Sequence, residues 1–195
     1  GRPVGEDTGT FGGDPFVRFT ASAAGRYSAR IHDTEFGGLQ HYVYRLTITA
    51  GPYLDSVFPR GGRPGETLTV ELQGANLDRA TAEITLPTAA ASTYRWRPEF
   101  AATSPFGIPL EVVDRPVSLE RSEAAKAESV QELAVSSVID GRIHRPGEID
   151  RYRFTGVKGE PLRLETRAAA LDSPIDTVLA ITDAEGKTLA QNDDA

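Results

Sequence analysis

The stretch that most constrains this chain runs from 150 to 194, where short alternating runs are broken by turn residues. Polar and apolar residues take turns in Arg151-Tyr152-Arg153-Phe154-Thr155 and again in Leu162-Arg163-Leu164-Glu165-Thr166. A period of two sets apolar side chains on one face of a half-buried strand and does not fit the 3.6-residue repeat of an amphipathic helix. Residues 177–182 are more continuously apolar, as in a strand nearer a core. Asp183-Ala184-Glu185-Gly186 then forms a turn, the aspartate accepting local backbone hydrogen bonds and the glycine free to take a positive φ. Residues 187–191 return antiparallel, so this stretch reads as four short strands in search of partners.

The register of that hairpin carries a chemical expectation. Pairing Thr182 with Lys187 sets Asp176 opposite Asp193, with Asn192 and Asp194 flanking and Asp172 just upstream. Like charges directly across a ladder repel, and a hard cation would neutralise them. Calcium, which takes about six to eight oxygen ligands from carboxylates, amides and carbonyls, suits such a set best. Solvated strand-end aspartates making Asx turns are the other reading of the same residues.

The rest of the chain is also read as strand, turn, strand. Residues 1–13 are a glycine-rich loop. Residues 14–20, 26–31 and 41–49 are strands, the last with Tyr42, Tyr44, Leu46 and Ile48 on one face. Arg18-Phe19-Thr20 followed by Gly25 is echoed by Arg153-Phe154-Thr155 followed by Gly159. Ala50-Gly51-Pro52 marks a boundary. Beyond it, strands over 54–59, 66–74, 82–86, 92–97 and 109–113 are separated by Gly/Pro turns, the pattern of a small immunoglobulin-like sandwich. Trp96, alternating with Tyr94, is assigned to packing and not to a sugar platform. Residues 118–136 are polar and charged, a linker or a strap across a sandwich edge, and 137–143 open the last unit.

Composition narrows the function. A hydrophobic content of 39% supports a core, and a net charge of −7 argues against nucleic acid or an anionic membrane as partner. Without cysteine there is no disulfide, thiolate metal site or cysteine nucleophile. No apolar run approaches the roughly 20 residues of a membrane span. His32, His41 and His144 share no metal-ligand spacing, and no GxSxG, HExxH or phosphate loop occurs. No catalytic residues are assigned and the chain is read as not an enzyme. With no methionine and no leader, it reads as a segment of a longer protein.

Several of these runs resemble known families. Residues 137–143, Arg145-Pro-Gly-Glu-Ile-Asp150-Arg-Tyr-Arg-Phe154, Leu171-Asp-Ser-Pro-Ile-Asp176 and Asn192-Asp-Asp194 look like the first half of a bacterial pre-peptidase C-terminal domain. Asp14-Pro-Phe-Val-Arg-Phe-Thr20, Gly25-Arg-Tyr27 and 42–48 resemble its second half, while Ser56-Val-Phe-Pro-Arg-Gly-Gly-Arg-Pro-Gly-Glu-Thr-Leu-Thr-Val70 is similar to IPT/TIG immunoglobulin-like domains. The resemblance implies an all-β chain, a jelly-roll-like β-sandwich plus a small immunoglobulin-like one, divided as 1–50, 51–117, 118–136 and 137–195. It also implies an extracellular, cell-surface or periplasmic non-catalytic module. Such a module would bind a polysaccharide or an extracellular protein and be steadied by calcium at Asp176, Asp193, Asp194, Asn192 and Asp14, with Glu6 and Asp7 nearby. Family members often carry Glu-Pro-Asn-Asp before the first strand. This chain has Glu120-Arg121-Ser122-Glu123, so no ligand is assigned there. Because each half alone exposes strand edges, the halves are expected to complete one sandwich, within a chain or by strand exchange in a homo-oligomer. The alternative role is a structural spacer or adhesin repeat.

Overall fold

The computed structural model describes residues 5, 14–89, 91–102, 104, 107–121 and 130–193. They fall into two compact units, Gly1–Ile48 and Thr49–Ala195, and the fold is all-β.

The core sits in the second unit. Strands β1 (Tyr53–Phe58), β2 (Gly61–Gly62), β3 (Thr67–Ala75), β4 (Thr81–Thr85), β5 (Ala91–Trp96) and β6 (Ile108–Val112) form two three-stranded sheets. One has the order β1-β3-β4 and the other β2-β6-β5. In β3, Leu68 and Val70 are buried while Thr67, Thr69 and Glu71 are exposed, the alternation that a strand with one wet face requires. Those side chains meet Leu54, Val57, Ile84, Ile108, Leu110 and Val112 in a single cluster. This is the small sandwich anticipated from 53–113, with strand ends shifted by a residue or so.

Two local details explain its edges. Strand β2 is so short that it pairs only with Glu111 and Val112, which leaves Pro109 free of a ladder on that side, where its missing N–H does no harm. Gly74 faces Leu54 where the β1–β3 register shifts, and a Cβ there would collide with the Tyr53 carbonyl oxygen. Trp96 packs against the core and stands edge-on to Phe100 at 6.0 Å, in keeping with its assignment to packing.

Among the described residues, the remainder of this unit contains three two-stranded ladders. Strand β7 (Val117–Leu119) runs parallel to β9 (Val138–Asp140), and β8 (Gln131–Glu132) runs parallel to β10 (Tyr152–Arg153). Strand β11 (Leu179–Thr182) is antiparallel to β12 (Thr188–Asn192). The stretch expected as a linker therefore supplies β8 and most of β7. Buried Gln131 ties these pieces together: its Oε1 accepts from Arg121 N at 3.0 Å and its Nε2 donates to the Leu119 carbonyl at 3.1 Å. Ion pairs join the later segments to the sandwich: Arg95 with Asp172 at 2.9 Å, Arg167 with Glu111 at 3.1 Å and Arg142 with Glu71 at 2.6 Å.

The first unit departs from expectation. Its described residues contain turns but no strand ladder, although 14–20, 26–31 and 41–49 had the pattern for one. Phe19 packs on Tyr27 at 5.1 Å and His32 stacks on Phe36 at 4.8 Å, yet Phe36, Val43, Tyr44 and Ile48 are exposed. Residues 162–166 likewise carry no ladder. Period-two alternation describes a surface that needs a backbone partner and an apolar cover, and neither is supplied by the alternation itself.

Candidate metal centre

The hairpin that carried the calcium expectation has a different register. Leu179 faces Asn192, Ala180 faces Gln191, Ile181 faces Ala190, and after a bulge Thr182 faces Thr188. The cause is local. Asp183 N donates to the Lys187 carbonyl at 3.0 Å, and the Asp183 carboxylate accepts from Lys187 N at 2.8 Å. Asp183 and Lys187 thus close a three-residue loop ending at Gly186, φ +85°, with Gly186 N–H also donating to the Asp183 carbonyl at 3.1 Å, and the register shift lies farther along, across from Leu189. Asp176 lies outside the ladder, and its opposition to Asp193 is not formed. Asn192 sits at the ladder end against Leu179. Asp194, Glu6 and Asp7 lie outside the described residues, and Asp14 belongs to the other unit. Asp172, at φ 53°, pairs with Arg95.

A different set of carboxylates converges. Glu120, Glu148 and Asp150 each present an oxygen within 4.8 Å of the other two. Glu120 directly follows β7, and its N–H extends the parallel ladder by donating to the Asp140 carbonyl at 2.8 Å. Its Oε2 accepts from Arg142 N at 2.8 Å. Gly141 makes the approach possible: a Cβ there would lie 2.9 Å from the Tyr152 hydroxyl and 3.2 Å from Glu120 Oε2.

Glu148 is delivered by a turn in the β9–β10 connection. Its Oε2 accepts from His144 N and Arg145 N, each at 3.0 Å, and Gly147 at φ +80° lets the chain reverse. The side chain is only 2% exposed. Its Oε1 is shielded from water and accepts no hydrogen bond, with His144 Nδ1 standing off at 3.5 Å. Asp150 Oδ1 is shielded and accepts no hydrogen bond either.

Electrostatics agree with the crowding. Burial, the negative charge of Glu120, a side-chain hydrogen bond with the Glu120 carboxyl and, more weakly, the charge of Glu148 push the Asp150 carboxyl up to about 6. Burial and the negative charges of Glu120 and Asp150 raise the Tyr152 phenol well above its ordinary value, so it stays a neutral hydroxyl. Three convergent carboxylates with two shielded free oxygens form an all-oxygen donor set of the kind hard cations take.

Sequence reasoning missed this set. In the sequence, Glu148 and Asp150 belong to the run that resembles the family motif, and the residues after Glu120 depart from the family pattern, so neither points to a ligand set. The available signal was the Glu148-x-Asp150 spacing, which puts two carboxylates on the same side of an extended segment. That a third would come from 28 residues upstream depends on the parallel β7–β9 pairing, which alternation cannot reveal.

Among known proteins, the chain is similar to a probable subtilase-type serine protease of Deinococcus radiodurans, with 25% identity over 190 residues. The match covers 93% of this chain and 20% of the relative, so the chain spans about a fifth of that protein's length. No family model matches the chain. No solved structure matches it either. Among the described residues, no helix is long and apolar enough to cross a membrane.

Proposed function

We propose that this chain is a non-catalytic accessory region of a larger secreted or cell-surface protein, steadied by calcium at Glu120, Glu148 and Asp150. In this reading it holds a polysaccharide or an extracellular protein near a catalytic domain elsewhere in the parent chain. The observation that carries the calcium reading is the pair of shielded carboxylate oxygens, Glu148 Oε1 and Asp150 Oδ1, that accept no hydrogen bond. Around Glu148 the nearest cationic atoms are His144 Nδ1 at 3.5 Å and Arg145 Nε at 3.9 Å, neither of them hydrogen-bonded to Oε1. A shielded carboxylate oxygen without a hydrogen bond is costly, and a cation coordinated by both oxygens would offset that cost. Similarity to a fifth of a probable subtilase-type serine protease supports a place beside a catalytic domain.

The test is calcium titration by calorimetry, followed by retention on insoluble polysaccharides and collagen with calcium or chelator. Binding of one calcium that is lost in Glu148→Gln, and calcium-dependent retention on one matrix, support the reading. No heat of binding and no calcium-dependent shift in melting would overturn the calcium assignment, and no retention on any matrix would overturn the targeting role. A spacer or strand-exchanged repeat is favoured by a separate observation, the exposed Val43, Tyr44 and Ile48 of the first unit and Ile149, Val157, Val178 and Leu189 of the second. Light scattering of a stable monomer would remove that alternative's strand-exchanged form.

A further inference from the structure

Segment 140–142 is bonded on both sides. Toward the carboxylate cluster, the Asp140 carbonyl accepts Glu120 N–H at 2.8 Å, and Arg142 N–H donates to Glu120 Oε2 at 2.8 Å. Toward the sandwich, the Asp140 carboxylate accepts Arg60 N–H at 2.7 Å. The Arg142 guanidinium lies over the Phe58 ring at 3.7 Å and reaches Glu71 Oε2 at 2.6 Å. One short segment thus connects a cluster oxygen to β1, to β3 and to the β1–β2 connection.

We infer that cation binding at Glu120, Glu148 and Asp150 locks the seam between the immunoglobulin-like sandwich and the strands that follow it, with Arg142 and Asp140 as the coupling residues. The inference rests on the calcium reading above. With the cluster empty, mutual repulsion favours outward motion of Glu120, and Glu120 carries Arg142 N–H with it. With a cation held between the carboxylates, Glu120 is fixed, the backbone at 140–142 is fixed with it, and the contacts of Arg142 and Asp140 with the sandwich are made more often. Coupling between two sites is reciprocal, so loosening the sandwich side must weaken the cation. Arg142 is a positioning residue in this scheme: it is no ligand, and its guanidinium points away to Phe58 and Glu71.

The test is native-state hydrogen exchange on the whole chain with calcium and with chelator, together with calcium affinities of Arg142→Ala and Glu71→Gln. Expected are slowing of exchange at Arg60 N–H by about fivefold or more on adding calcium, and weakening of calcium binding by about fivefold or more in Arg142→Ala. Glu71→Gln, which keeps the exposed β3 position polar, should shift affinity in the same direction by less. Should Arg142→Ala fail to fold, the wild-type exchange and Glu71→Gln still decide. Calcium binding with unchanged Arg60 exchange and unchanged affinities would overturn the seam lock and leave the calcium site standing. Absence of calcium binding would overturn both.

Discussion

The sharpest perturbation is Glu148→Gln, because its effect should change sign with calcium. Two carboxylate charges at the 4.8 Å limit of the cluster repel by on the order of 3 kcal/mol at an effective dielectric constant near 20. Three such pairs would approach a typical domain's whole stability of roughly 5–15 kcal/mol. The rise of the Asp150 carboxyl to about 6 has the sense of this crowding. Glutamine removes one charge while its amide oxygen still accepts from His144 N and Arg145 N, so the turn at 144–148 survives. In chelator, the variant should melt at or above the wild-type temperature. In calcium at a hundred times Kd, the wild type should gain about 2.7 kcal/mol, or about 5–10 °C at the scale for chains of this size. Glu148→Gln should gain only a small part of that shift. Thermal melts by circular dichroism with calcium and with chelator check both arms. If the variant is less stable by the same amount in both conditions, Glu148 is only a turn cap and the reasoning fails.

Three further outcomes follow from the packing. Leu110, fully buried in β6, should cost about 2–5 kcal/mol on replacement by alanine, read as a lowered denaturation midpoint in urea. Asp140→Ala leaves the Arg60 N–H without its acceptor and should cost about 1–3 kcal/mol, whereas Asp140→Asn, which retains an acceptor oxygen, should cost clearly less in the same denaturation assay. Gly74→Ala places a methyl group against the Tyr53 carbonyl and should uncouple β1 from β3, seen as faster exchange of the β1 amides.

The legible and illegible parts of this chain differ for a physical reason. Strands β1 and β3–β6 could be read from alternation and turns because the segment 53–112 contains both faces of its own core: Leu68 and Val70 find Ile84, Leu110 and Val112 within sixty residues of chain. The turn Asp183–Gly186 forms as expected, with Gly186 N–H on the Asp183 carbonyl, but Lys187 bonds back to Asp183 and Thr182 faces Thr188, so the register at the tip differs by one residue from a Thr182–Lys187 pair. A one-residue change of register is enough to undo an argument about which side chains face each other. The carboxylate cluster is illegible in the sequence because it depends on the parallel β7–β9 pairing, a contact between residues 21 positions apart that neither strand's composition encodes.

The unassigned alternation in 14–48 and the exposed residues of 143–189 have one physical reading in common. A run such as Tyr42-Val43-Tyr44-Arg45-Leu46 has a strand-forming pattern, yet Val43 is 84% exposed and the run makes no ladder among the described residues. Burying a side chain of that size typically contributes about 1.5–3 kcal/mol, so several left in water represent a large stabilisation not yet realised. The sandwich of 53–112 has no such deficit. Each flanking region therefore calls for an apolar cover, and a change in the exposure of Val43 and Val178 on raising concentration, followed by solvent-accessible labelling or exchange, would show that the cover comes from another copy. Unchanged exposure across concentrations would rule out that source.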